Sequence, residues 1–180
     1  MTNQIIPYQP HDIAEPKEVV DAVRLRRGGT LLNLDRMLLH SIPFTRGWNA
    51  FIKEVRENLT LSPKYREIGM CGVAILNHAE YEFFHHAPEL LKAGGTQAQV
   101  DELRKIGTSA MDLSKFDAIE QDIVLLTLHM TRDIEVPTDI MSRLQKSLGN
   151  VHIVEIVGVI AAYNMVSRFL IATGIQPENH

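Results

Sequence analysis

Apolar residues recur along this chain at spacings of three and four. From Glu18 onward each segment repeats one grammar: a capping residue, an apolar pattern near period 3.6, then Gly or Pro. No stretch alternates as a strand would. The pattern predicts an all-α, single-domain helical bundle of about seven or eight helices over residues 17–176, with a short tail at 177–180. Residues 1–16 hold Pro7, Pro10 and Pro16 with little periodicity. They read as an extended arm, either disordered or laid over a partner subunit.

Individual boundaries follow from local chemistry. Residues 30–39 and 44–59 read as two helices split by Ser41-Ile42-Pro43. Ser62-Pro63 is a start signal, because a proline at the first helical position lacks an N–H that would be unbonded anyway. The helix that follows carries Glu67, Cys71 and Ile75. Asn77-x-x-Glu80 has the form of a capping box and opens a second helix, which contains Pro88 and stops at Gly94-Gly95. Thr96-x-x-Gln99 opens a short third helix closed by Gly107. A helix over 117–133 follows, then one from Pro137-Thr138 to Gly149, then a last one over 151–173 closed by Gly174. That last helix is apolar almost all round, as the central member of a bundle or an oligomer seam would be.

Composition narrows the classes. With 180 residues and 45% hydrophobic content the chain is long enough for a core of its own. Net charge is −4 and pI about 6.0, which gives no electrostatic footprint for nucleic acid. The run Arg24, Arg26, Arg27 reads as a solvated patch at a helix end. No secretory leader is evident, and the most apolar stretch, 153–166, includes Glu155 and Asn164, so a membrane span is not expected. The single cysteine, Cys71, cannot form an internal disulfide, and the expected location is cytoplasmic.

Titratable residues concentrate between positions 67 and 86: Glu67, His78, Glu80, Tyr81, Glu82, His85 and His86. On a helix, Glu82 and His86 are four apart and share a face, so the carboxylate can orient the imidazole; Glu82 and His85, three apart, offer the same relation. If the two helices pack as a hairpin, the Glu67 carboxylate approaches the start of the second one. Two carboxylates and a histidine make a proton-transfer set. Read as a metal site, Glu67 with Glu82-x-x-His85 supplies half of a di-iron carboxylate set. The other half is missing, since His152-x-x-Glu155 runs in the reverse order. A mononuclear site on Glu67, Glu82 and His85 is the remaining metal alternative, and no metal or cofactor is expected.

The text Tyr65-Arg66-Glu67, then Asn77-His78-Ala79-Glu80-Tyr81-Glu82-Phe83-Phe84-His85-His86, then Gly94, resembles the carboxymuconolactone decarboxylase-like family. Leu61-Ser62-Pro63 and the segment Tyr163 to Arg168 extend the likeness. Its redox branch, similar to alkylhydroperoxidase D, has a C-x-x-C-x-x-x-H motif with a glutamate twelve residues before the first cysteine. Aligned on His86, the cysteines fall on Ala79 and Glu82, and the glutamate on Glu67. Both thiols of the pair are therefore absent. The resemblance implies an alkylhydroperoxidase D-like architecture, a homo-oligomer and a small-molecule substrate. It points to the non-redox branch, with acid–base work on a small carboxylated or lactone-type substrate. In that reading Glu67, Glu82 and His86 are catalytic, with His86 moving the proton, Glu82 orienting it and Glu67 in a relay. Arg66 and Arg168 are expected to hold the substrate anion, with Tyr81 and His85 as further substrate contacts. Two alternatives stand beside it. One is an antioxidant peroxidase relying on Cys71 with an external thiol, although a carboxylate four residues away raises a thiol pKa. The other is a non-catalytic binding or assembly module.

Overall fold

Eight α-helices and no strand occur in the computed structural model, which describes residues 5–178. They are α1 (Lys17–Arg26), α2 (Asn33–Leu38), α3 (Ile42–Lys53), α4 (Pro63–Leu76), α5 (Glu80–Lys92), α6 (Gln97–Leu103), α7 (Ala118–Arg132) and α8 (Thr138–Thr173). The all-α reading is borne out. α3 ends in a π-helical turn, Glu54–Asn58, and a 3₁₀ turn, Leu113–Lys115, precedes α7. The last two helices of the sequence pattern form one element broken at Gly149, whose φ of 76° and ψ of 173° interrupt the helical ladder. The chain divides into two compact units, one containing the described residues up to Leu59 together with 169–178, the other Thr60–Arg168.

In the first unit, Val19, Val20 and Val23 of α1 pack with Leu31 and Leu39. Phe44, Trp48 and Phe169 form an aromatic trio with ring centroids 5.3 to 5.7 Å apart. The arm lies along this unit's own helices: Arg36 donates to Gln9 O at 2.6 Å, and Arg24 to His11 O and Ile13 O at 2.9 Å. The basic run is not a solvated patch. The side chains of Arg26 and Arg27 are 6% and 14% exposed and both reach Asp35, itself fully buried, at 3.2 and 3.0 Å. Asp35 also accepts the Leu32 N–H at 3.0 Å, which fixes the start of α2.

The second unit is built on α4. Gly69 and Gly72 let it approach its neighbours closely: a Cβ on Gly69 would meet Ile160 Cγ1 at 3.3 Å, and one on Gly72 would meet Thr127 Cγ2 at 3.0 Å. Its lead-in is held by Glu155 of α8, whose carboxylate accepts the Thr60 and Leu61 N–H groups at 3.1 and 2.7 Å. Thr96 and Gln99 form the capping box that opens α6 as the sequence predicts, and α7 starts at a second such box, Asp117 with Glu120. α8 is long and apolar enough to cross a membrane by length and composition. It is broken at Gly149, however, and Ile156, Val159, Ile160, Tyr163 and Val166 are buried in the protein's own interior.

The Asn77-x-x-Glu80 box does not form. Asn77 closes α4 instead, and the Ala79 N–H reaches Ala74 O at 2.8 Å while the His78 N–H reaches Ile75 O at 3.1 Å. This is a Schellman turn with histidine at the position glycine usually takes, at φ 56°. The Asn77 amide turns inward and donates to Asn164 Oδ1 and Ser167 Oγ at 3.0 and 2.7 Å. His78→Gly should therefore raise stability by about 0.5–1 kcal/mol, net of glycine's larger unfolded-state entropy. Chemical denaturation of the two proteins checks this, and a loss of stability would show that His78 is not strained.

Candidate functional site

The Schellman turn reverses the chain between α4 and α5 and starts α5 at Glu80, with Ala79 as N-cap. That register turns Glu82 and His86 inward: they are 2% and 4% exposed. Across the hairpin, Glu67 of α4 meets His86, with Oε2 2.7 Å from Nδ1. With the Glu67 oxygen as acceptor, Nδ1–H donates, and Nε2 stays outside this bond. Glu67, rather than Glu82, orients the imidazole. Tyr163 of α8 presses edge to face on the His86 ring, with centroids 4.9 Å apart.

Glu82 has a different environment. Neither carboxyl oxygen has a hydrogen-bond partner among the described residues. An ionised carboxylate there lacks both water and donors, so burial pushes the Glu82 pKa well above the ordinary carboxyl value. The first turn of α5 favours negative charge by only about 0.3–1 kcal/mol, too little to offset that desolvation. Burial therefore favours the protonated form of Glu82. The site thus sets a buried carboxyl without a partner among the described residues and an imidazole bonded to Glu67 one helical turn apart on α5.

Cys71, one turn after Glu67 on α4, is fully buried. Burial raises its thiol pKa well above the usual value, and the Glu67 and Glu82 carboxyls push it further; only Arg104 acts the other way. A thiol so placed is a poor nucleophile. Arg104, at the C-cap of α6, lays its guanidinium 4.1 Å over the ring of Phe83, the residue after Glu82. Sequence reasoning passed it over, since nothing local ties position 104 to positions 67–86.

The remaining predicted site residues lie around this cluster in different ways. Tyr81 is buried and stacks with the half-buried His85, ring centroids 4.6 Å apart, while His85 also meets Phe84 at 5.3 Å. Arg66 is half-buried on α4 beside Glu67. Arg168 is engaged with Asn164, donating to its backbone O at 2.8 Å and its Oδ1 at 2.6 Å. Among the described residues no group of three or more His, Cys, Asp or Glu converges as a metal site.

Comparison with known proteins agrees with this architecture. Residues 43–119 match the model of the carboxymuconolactone decarboxylase family. No curated protein matches the chain. A crystal structure of a peroxidase-related protein from Silicibacter sp. TM1040 superimposes with a TM-score of 0.79 over 99% of this chain and 95% of that one, at 19% identity. The segment similar to the carboxymuconolactone decarboxylase family contains the whole α4–α5 hairpin with Glu67, Glu82 and His86, and the single cysteine of the chain, Cys71, lies on α4 within it.

Proposed function

We propose that this protein is an enzyme doing acid–base, non-thiol chemistry on a small carboxylated or lactone-type substrate. The observation that carries this reading is Glu82: a buried carboxyl with no hydrogen-bond partner among the described residues, its pKa raised by burial, at the position where the redox branch has a thiol. In a decarboxylation, CO₂ leaves with the C–C bond electrons left on the substrate. Glu82 then gives its proton to the carbanionic carbon, and the new carboxylate recovers a proton through His86, whose Nδ1–H is steadied by Glu67. In a lactone hydrolysis water adds to the ester carbonyl, the acyl C–O bond breaks, and the same proton goes to the departing ring oxygen while the water's proton is lost to solvent. Arg104 is the cation we assign to the substrate carboxylate, in place of Arg66 and Arg168, because its charge already acts on Cys71 beside both carboxyls. Tyr81 and His85 serve as packing next to the acid. The reading includes a cytoplasmic location and a homo-oligomer, for which Val151 and Val154 of α8, 64% and 69% exposed, are available apolar contacts.

The thiol alternative is disfavoured by the raised Cys71 pKa and by the lack of a second cysteine to resolve a sulfenic acid. A panel of lactones and oxo acids, assayed with wild type, Glu82→Gln and His86→Ala, tests the proposal. Turnover is expected in wild type, with losses of roughly a hundredfold or more in either variant. Equal rates in the three proteins would remove both residues from the chemistry. Peroxide treatment of the native protein, followed by mass spectrometry, should leave Cys71 reduced; a sulfenic acid or mixed disulfide would favour the peroxidase instead.

A further inference from the structure

An open cleft of about 430 Å³ lies within the second unit, between the loop after α6 and the outer side of α7. Its volume falls in the range of small-molecule sites. Ile106, Met111, Leu113, Val124 and Leu128 supply apolar walls, and Arg132 supplies the one cation among the lining residues. None of Glu67, Glu82 and His86 lines it.

The polar groups of the cleft are unevenly satisfied. Asp133 is held by His129, with Nδ1 2.8 Å from Oδ2, which directs that carboxylate to its own helix. Arg132 has no acidic partner among the described residues; its only recorded bond is a long one, 3.3 Å from Nη1 to Gly107 O. The guanidinium rests directly on Gly107, where a Cβ would come within 2.9 Å of Cζ and Nη1. Gly107 has φ 78°, so the turn itself favours a glycine and clears the space in which the guanidinium lies. Arginine is the side chain whose planar fork matches a carboxylate with two parallel hydrogen bonds.

We propose that this cleft is a second binding site, separate from the Glu67, Glu82 and His86 cluster, for an amphipathic monocarboxylate. The apolar chain lies among Ile106, Met111, Leu113, Val124 and Leu128, and the carboxylate pairs with Arg132. Charge complementarity selects this occupant over a neutral apolar one, because only an anion uses the unpaired guanidinium.

Octanoate and octanol, equal in chain length and different in charge, are suitable probes for calorimetry and for NMR of methyl-labelled Leu and Met. Octanoate should bind saturably and shift the Met111, Leu113 and Leu128 methyl signals. Arg132→Gln should weaken octanoate about tenfold or more and leave octanol unchanged. His86→Gln should bind octanoate as wild type does, which keeps this result independent of the catalytic reading. Absence of saturable octanoate binding, methyl shifts confined to residues outside the cleft, or equal octanoate affinity in wild type and Arg132→Gln would each overturn the proposal.

Discussion

Glu82→Leu should make the protein more stable at pH 7, by about 1–3 kcal/mol, while removing the acid proposed for its chemistry. The carboxyl is buried with both oxygens unbonded, and a buried polar group without partners costs roughly that much. Leucine fills a similar volume and needs no partner. The gain should also depend on pH in a definite direction. Folding raises the Glu82 pKa above its unfolded value, so the folded state binds the proton more tightly. Wild-type stability from this group is full below the unfolded pKa of about 4.3 and falls as pH rises towards the folded pKa. The stability difference between Glu82→Leu and wild type should therefore be smallest near pH 4 and grow towards pH 8. Urea denaturation at several pH values measures it. A difference that shrinks with rising pH would mean that Glu82 is ionised and stabilised in the native state. A more stable but inactive variant is the trade expected where function keeps a group that folding alone would discard.

Asp35→Ala should destabilise the first unit by about 3–5 kcal/mol, the largest effect expected of any single substitution considered. Removing the carboxylate leaves the Arg26 and Arg27 guanidiniums, 6% and 14% exposed, without their shared counter-ion. It also removes the acceptor for the Leu32 N–H at the start of α2. Asp35→Asn keeps that acceptor and loses only the charge, so it should recover part of the loss. A drop below 1 kcal/mol in the alanine variant would show that the two arginines find water instead.

The difference between the legible and illegible parts of the chain is one of range. Thr96 with Gln99, and Asp117 with Glu120, are capping partners three residues apart. Both boxes form even though Gln99 Nε2 also donates to Glu120 Oε2 at 2.8 Å, because Gln99 keeps its Oε1 for its own box and Glu120 Oε2 accepts both bonds. Asn77 with Glu80 has the same form and failed. Its amide is claimed by Asn164 and Ser167, 87 and 90 residues away, and His78 enters the left-handed region to close α4. The site divides in the same way. Glu67, Glu82 and His86 were identifiable from an alignment on His86 and Gly94, yet spacing along α5 suggested Glu82 as the partner of His86. The hairpin supplies Glu67 from another helix, and Glu82 is left facing the interior. Arg24, Arg26 and Arg27 read as a surface run because their partners are not local: Asp35, the counter-ion of Arg26 and Arg27, lies beyond the turn that follows α1, and Arg24 donates to His11 O and Ile13 O of the arm. Arg104 had no local signal at all.

The account rests on Glu82 being a buried acid of raised pKa beside the His86 and Glu67 pair. Carbon-13 NMR of protein labelled at glutamate Cδ, with the Glu82 signal assigned by its loss in Glu82→Gln, reads that proton directly. The prediction is that Glu82 loses its proton at a pH well above the ordinary carboxyl range. A Glu82 signal that titrates within that range would contradict the account.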